Sequence, residues 1–349
     1  MMRMWTRLIV TVLLLGIASP ILAQEQRPLP KVLVLATGGT IAGEQREPGT
    51  LGSYEIKKSV SEIVALIPNV QRYAQVETEQ FSNVGSDRVT PELWLGLARR
   101  INDRFKERSD LAGIVVTHGT TTLEQTAFFL YLAVNSDRPV VVVGAERPPT
   151  GISPDGPINL LAAIRVATTP DARRKGVMVV MDDRIMSARD VTKRYARNGG
   201  FDVPEMGMLG IVDNGGVEFF YEPVRKHTVT AGFDLSGVKA LPRVGISYSY
   251  SGAEGLADLD AKAVIVATTG FAPEERKYYD ALLKKGMIVA TTFPSGEQVT
   301  SPPAQPPQSN APRTITVNHL LPTKARILMM LALTRTQSAE DIQRIFDSF

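Results

Sequence analysis

Two short turns in this chain hold hydroxyl groups between glycines, Thr37-Gly-Gly-Thr40 and Thr117-His-Gly-Thr-Thr121. The first follows the apolar run Lys31–Ala36, which reads as a buried strand stopping at a tight turn. Glycine lets a ligand approach the main chain closely, and a hydroxyl held at such a place can act as a nucleophile. The same residues also make a plain turn with a capping threonine. Thr122 and Gln125 have the spacing of a capping box, so a helix begins there and Thr120 and Thr121 lie at its positive end. That end suits a carboxylate or a developing oxyanion, although helix capping alone also accounts for the threonines. An aliphatic hydroxyl needs a base at neutral pH. Lys193, in Arg189-Asp-Val-Thr-Lys193, either tunes a hydroxyl from a nearby strand end or sits solvated in a charged stretch.

Other chemistries fit poorly. Gly38, Gly39 and Gly43 do not make a dinucleotide-binding fingerprint, and Glu44 stands where a phosphate loop needs lysine. The three histidines, His118, His227 and His319, form no His-x-x-x-His pair, and no G-x-S-x-G elbow occurs. No cofactor and no metal are expected.

The hydroxyl turns need strands to hold them. Short apolar runs at Gln75–Phe81, Leu111–Val116, Pro139–Gly144 and Gly176–Met181 alternate with helical patterns after Thr90-Pro91, after Thr122 and around Ile158–Ala167. Such alternation implies a parallel sheet with right-handed crossovers. Residues 44–52, polar and glycine-bearing, form a candidate lid. The fold class is therefore α/β: a larger amino-terminal, doubly wound, mostly parallel sheet domain over 31–221 and a smaller carboxy-terminal α/β domain over 242–349. Residues 222–241 are read as the linker. The second domain takes strands at Val244–Tyr250, Ala263–Thr268 and Met287–Phe293, a helix at Pro273–Lys285, and closing helices at Thr323–Leu333 and Ala339–Phe346. The proline-rich segment 301–312 is expected to be an extended loop.

Met1–Ala23 has the pattern of a signal peptide: Arg3 and Arg7, an apolar core over Leu8–Ile17, and a small residue before Gln24. The protein is thus expected to be periplasmic, with no membrane attachment once the segment leaves. With no cysteine, packing rather than disulfides must stabilise it. The net charge of +3 falls to about +1 without Arg3 and Arg7, which gives no basis for nucleic-acid binding.

Together, Thr37–Ala42, Thr117–Thr120 and Arg189–Lys193 resemble bacterial L-asparaginases of the exported type II class and the glutaminase-asparaginases. Gly144–Pro148, Asp155–Asn159, Arg225–Thr228 and Lys324–Arg326 continue the resemblance across the chain. It implies hydrolysis of the side-chain amide of asparagine, and of glutamine as a further substrate, through a threonine acyl-enzyme. Thr40 matches the nucleophile, Tyr54 the lid tyrosine, and Thr120 with Lys193 the second threonine and its lysine. Ser86 matches the residue holding the substrate α-carboxylate, and Asp87, Thr121 and Ala145 fall at the substrate-binding positions. A homodimer or homotetramer acting on a small amide is also implied.

The chain departs from that pattern at Thr121, where the family has aspartate. Lys193 and a substrate ammonium are both expected to lose a charge partner, with Asp87 the remaining nearby acid. The 301–312 segment replaces one from which relatives lend a carboxylate to a neighbouring subunit. Two alternatives stay open: an amidohydrolase for an amide other than free asparagine, and a periplasmic amino-acid-binding protein on this scaffold.

Overall fold

The computed structural model describes residues 28–50, 53–296 and 314–349. The signal pattern at Met1–Ala23 and the proline-rich 301–312 segment lie outside the described residues.

From Lys31 the chain runs through β1 (Lys31–Gly38), a hairpin of β2 (Gly43–Gln45) and β3 (Tyr54–Ile56), α1 (Val60–Ala65) and β4 (Gln75–Val84). It continues through α2 (Pro91–Glu107), β5 (Leu111–Thr117), α3 (Leu123–Ala133), β6 (Val140–Val143), α4 (Gly156–Thr168) and β7 (Val177–Met181). The expected lid region is thus partly an antiparallel hairpin, Gln45 pairing with Tyr54. Local chemistry sets the helix starts. Ser59 and Glu62 form a reciprocal capping box ahead of α1, and Thr90 caps α2 with Pro91 in its first turn. The capping box expected at Thr122 does not form. Its hydroxyl donates instead to the carbonyl of Ser86 at 2.7 Å, so a contact between turns has displaced a local cap.

β1 is the centre of the first sheet. Val32–Ala36 are buried on both faces, as a continuous apolar run in a covered parallel sheet must be. It pairs in parallel with β4 on one side and β5 on the other, and β5, β6 and β7 follow in parallel order. The chain therefore leaves β1 in opposite directions. In an open α/β sheet, such a reversal opens a crevice beyond the carboxyl ends of the strands, where ligands bind.

After β7 the sheet becomes antiparallel, which the alternation of strands and helices did not anticipate. Asp182 and Asp183, both at positive φ, form a two-residue hairpin turn into β8 (Arg184–Ser187). Then come the two-residue partners β9 (Thr192–Lys193) and β10 (Phe201–Asp202), followed by β11 (Gly210–Val212) and β12 (Val217–Phe219). β11 and β12 complete an eight-stranded sheet beyond β8. Strands this short have no readable period.

Residues 222–241 include one helical turn, α5 (Thr228–Ala231). A second, parallel sheet follows with β13 (Val244–Tyr248), β14 (Ala263–Ala267), α6 (Pro273–Lys284), β15 (Ile288–Thr292) and β16 (Ile315–Thr316). The chain closes with α7 (Pro322–Ala332) and α8 (Ala339–Ser348). α7 packs on α3 as well as on β13 and β14, and one apolar core runs through both sheets. Among the described residues no helix is long and apolar enough to cross a membrane.

Candidate active site

The turns after β1, β4 and β5 meet in the crevice. A Cβ on Gly39 would stand 2.2 Å from the Gly119 Cα, and one on Gly119 would stand 2.8 Å from Ser86 Oγ. Gly39 also has φ of 86°, so both its conformation and its neighbour require glycine. Two sequence-distant hydroxyl turns are joined here by backbone contact.

Thr40, 6% exposed, opens a single helical turn over Thr40–Ala42. Its Oγ1 lies 2.6 Å from the phenol oxygen of Tyr54. The β2–β3 hairpin lays the Tyr54 ring against Gly43, while the side chain stays partly exposed. Thr40 and Tyr54, which the resemblance pairs as nucleophile and assisting lid tyrosine, are in direct hydrogen-bond contact.

Thr120 is as buried as Thr40, and its Oγ1 accepts a 2.5 Å hydrogen bond from Lys193 Nζ. An ammonium has only donors, so the Thr120 hydroxyl hydrogen remains free to point elsewhere. The Lys193 side chain is 15% exposed, which removes the solvated reading. Its backbone N–H donates to Glu124 Oε2 at 2.6 Å.

Thr121 gives Lys193 no charge partner, as expected, but another carboxylate stands beside the ammonium. Glu146 Oε1 and Oε2 lie 2.9 and 3.2 Å from Nζ; the pair is an ion pair in which the hydrogen bond goes to Oε2. Sequence reasoning gave Glu146 no role. The available signal was its place just beyond a third strand end, after Val143-Gly-Ala.

Ser86 is buried, and its Oγ accepts from the Thr121 N–H at 3.1 Å. Thr121 and Asp87 are exposed, whereas Ala145 is wholly buried. Asp87 makes no ion pair with the Lys193 group among the described residues.

Two buried groups shape the surrounding loops. Lys324 on α7 donates from Nζ to the carbonyls of Arg189, at 2.7 Å, and Val191, anchoring the segment that ends at Lys193. Its burial pushes the pKa down to about 8. His118 Nδ1 contacts the Gly119 carbonyl at 2.7 Å, while Nε2 lies 2.9 Å from Thr126 Oγ1. Thr126 Oγ1 already accepts from Trp94 Nε1. The Gly119 carbonyl can only accept, so the neutral ring carries its hydrogen on Nδ1 and Nε2 accepts the Thr126 hydroxyl proton. Burial of this neutral ring lowers its pKa to about 4.

Among the described residues, no group of three or more acidic or histidine side chains gathers as a metal site. The arrangement offers two hydroxyls, each with a polar partner able to orient it or exchange a proton.

The asparaginase N-terminal family model matches residues 31–225. L-asparaginase 2 of Bacillus subtilis (strain 168) is 39% identical over 337 residues, covering 94% of this chain and 88% of the relative. The glutaminase-asparaginase of Pseudomonas fluorescens biotype A is 37% identical over 334 residues, covering 93% and 91%. Among solved structures, the probable cytoplasmic L-asparaginase of Campylobacter jejuni superposes with a TM-score of 0.84 at 35% identity, covering 92% of this chain and all of that one.

Proposed function

The chain belongs to the asparaginase family of hydrolases, and from that premise we propose that it cleaves the side-chain amide of asparagine or glutamine through an acyl-enzyme on Thr40. The observation that carries this reading is the pairing of the two hydroxyls, Thr40 with Tyr54 and Thr120 with Lys193, on turns joined at Gly39 and Gly119.

In the first step Thr40 Oγ1 bonds to the amide carbon and the carbon–nitrogen bond breaks. Nitrogen departs as ammonia, taking up the proton lost by Thr40. Tyr54 is within hydrogen-bond reach of that oxygen and can pass the proton on. In the second step water adds to the ester, releases the acid and restores the Thr40 hydroxyl. Thr120 and Lys193 serve the proton transfers from the other side of the crevice. Main-chain N–H groups by Thr120 stabilise the oxyanion, each such donor being worth ~3 kcal/mol in other enzymes.

Ser86 is proposed to hold the substrate carboxylate, with Asp87, Thr121 and Ala145 around the same end. With Thr121 in place of aspartate, recognition of an α-ammonium rests on Asp87 and is weakened. Export through Met1–Ala23 and assembly as a dimer or tetramer belong to the same proposal, supported by the sequence pattern and the resemblance.

Ammonia release from asparagine, glutamine and their α-N-acylated analogues tests the activity. We expect hydrolysis, with less advantage for the free amino acids than an aspartate at position 121 would give. Ligand-induced thermal stabilisation without ammonia would instead support the binding-protein alternative, and micromolar KM for free asparagine would remove the role given to Thr121.

A further inference from the structure

The carboxylate facing Lys193 comes from the turn after β6. Glu146 is 7% exposed at its side chain, and both of its oxygens lie within 3.2 Å of Nζ. A carboxylate this enclosed is costly to hold unless a cation meets it. Its main chain is held too: the Glu146 and Arg147 N–H groups donate to opposite oxygens of buried Asp155, at 2.9 and 2.8 Å. Asn159 ties Asp155 to the Gly144 carbonyl through Nδ2, with contacts of 3.1 and 3.2 Å. The turn therefore presents Glu146 to Lys193 from a rigid base. By contrast, position 121 supplies a neutral, exposed threonine.

We propose that Glu146 is a positioning residue for the reaction, completing a Thr120–Lys193–Glu146 relay with a carboxylate drawn from the β6 turn instead of the start of α3. The inference rests on the threonine amidohydrolase reading. Glu146 directs one ammonium hydrogen toward Thr120 and balances the charge that Lys193 carries when it holds the proton. Thr120 accepts from Lys193, so its own hydrogen is directed toward the reacting groups. Glu124 also touches Lys193, but through the backbone N–H, which donates to its Oε2, whereas Glu146 meets the ammonium itself.

Glu146→Gln tests this because it keeps the shape and removes the charge. On the best amide substrate of the unmodified protein, kcat should fall on the order of 100-fold, a typical scale for positioned acid–base groups. KM should change little. The pH profile of kcat should change with it, because a buried charge has been removed beside the proton-transfer groups. Adding Thr121→Asp should restore most of kcat in the double variant by returning a carboxylate beside Thr120.

Wild-type kcat and pH profile in folded Glu146→Gln would overturn the inference. So would a loss that Thr121→Asp fails to rescue while both variants melt as the parent does. If Glu146→Gln does not fold, Glu146→Met supplies the check, since it removes the charge without burying an unpaired amide: kcat should fall on the same scale with KM little changed, and parent-like kcat in the folded variant contradicts the inference. Absence of ammonia from every amide with unmodified protein would fail the underlying reading as well, and is recognised by occurring before any substitution.

Discussion

At the scale of single residues, the site is organised by where each proton must sit. His118 is fixed by its neighbour: the Gly119 carbonyl can only accept, so the neutral imidazole donates from Nδ1 and accepts the Thr126 hydroxyl at Nε2. That neutral ring supports the turn bearing Thr120. Its folded-state pKa of about 4 lies below the ordinary value of 6.5. The unfolded chain therefore binds the proton first as pH falls. The stabilisation is complete above pH 6.5 and is lost as pH falls through 4, amounting to ~3 kcal/mol at most. Burial depresses His227 as well, adding in the same direction. Urea unfolding of the parent and of His118→Gln between pH 7 and pH 4 checks this. The parent should lose more stability over that interval, and equal slopes would contradict the assignment.

At the scale of elements, the decisive feature is contact between turns rather than any one turn. The sequence made the strand ends legible because Lys31–Ala36 and Leu111–Val116 are apolar runs cut off by glycine. It did not show that Gly39 and Gly119 touch, since such a contact depends on β1 and β5 being neighbours. Thr122 illustrates the limit: its spacing to Gln125 suits a local cap, yet its hydroxyl serves Ser86 on another turn. Glu146 escaped for the same reason, because its partner lies 47 residues away. Gly39→Ala follows from the contact. A methyl group there meets Gly119 backbone at positive φ, and strain of that kind alone costs about 1–3 kcal/mol. The variant should melt several degrees lower, roughly as such a loss predicts for a chain of this size, and lose most ammonia release. A parent-like melting temperature together with parent-like activity would show that the turns are not in contact.

At the scale of the whole molecule, the second sheet reaches the site through α7. Lys324 crosses to the carbonyls of Arg189 and Val191, and the Phe349 backbone carbonyl accepts from Arg189 Nε at 2.6 Å. The last helices thereby fix the segment that delivers Lys193, and the shared core makes the two sheets mechanically continuous. The alternation of strands and helices revealed both sheets, but not this bracing, because a buried lysine in an apolar helix leaves no periodic signature. All of these supports surround the event proposed here, acyl transfer to Thr40. Rapid acid quench during turnover of asparagine, followed by mass analysis of the tryptic segment Val32–Arg46, observes that event directly. The account predicts one aspartyl group esterified to Thr40, and neither adduct nor ammonia from folded Thr40→Ala. An adduct on the segment carrying Thr120, or full turnover by Thr40→Ala, would contradict it.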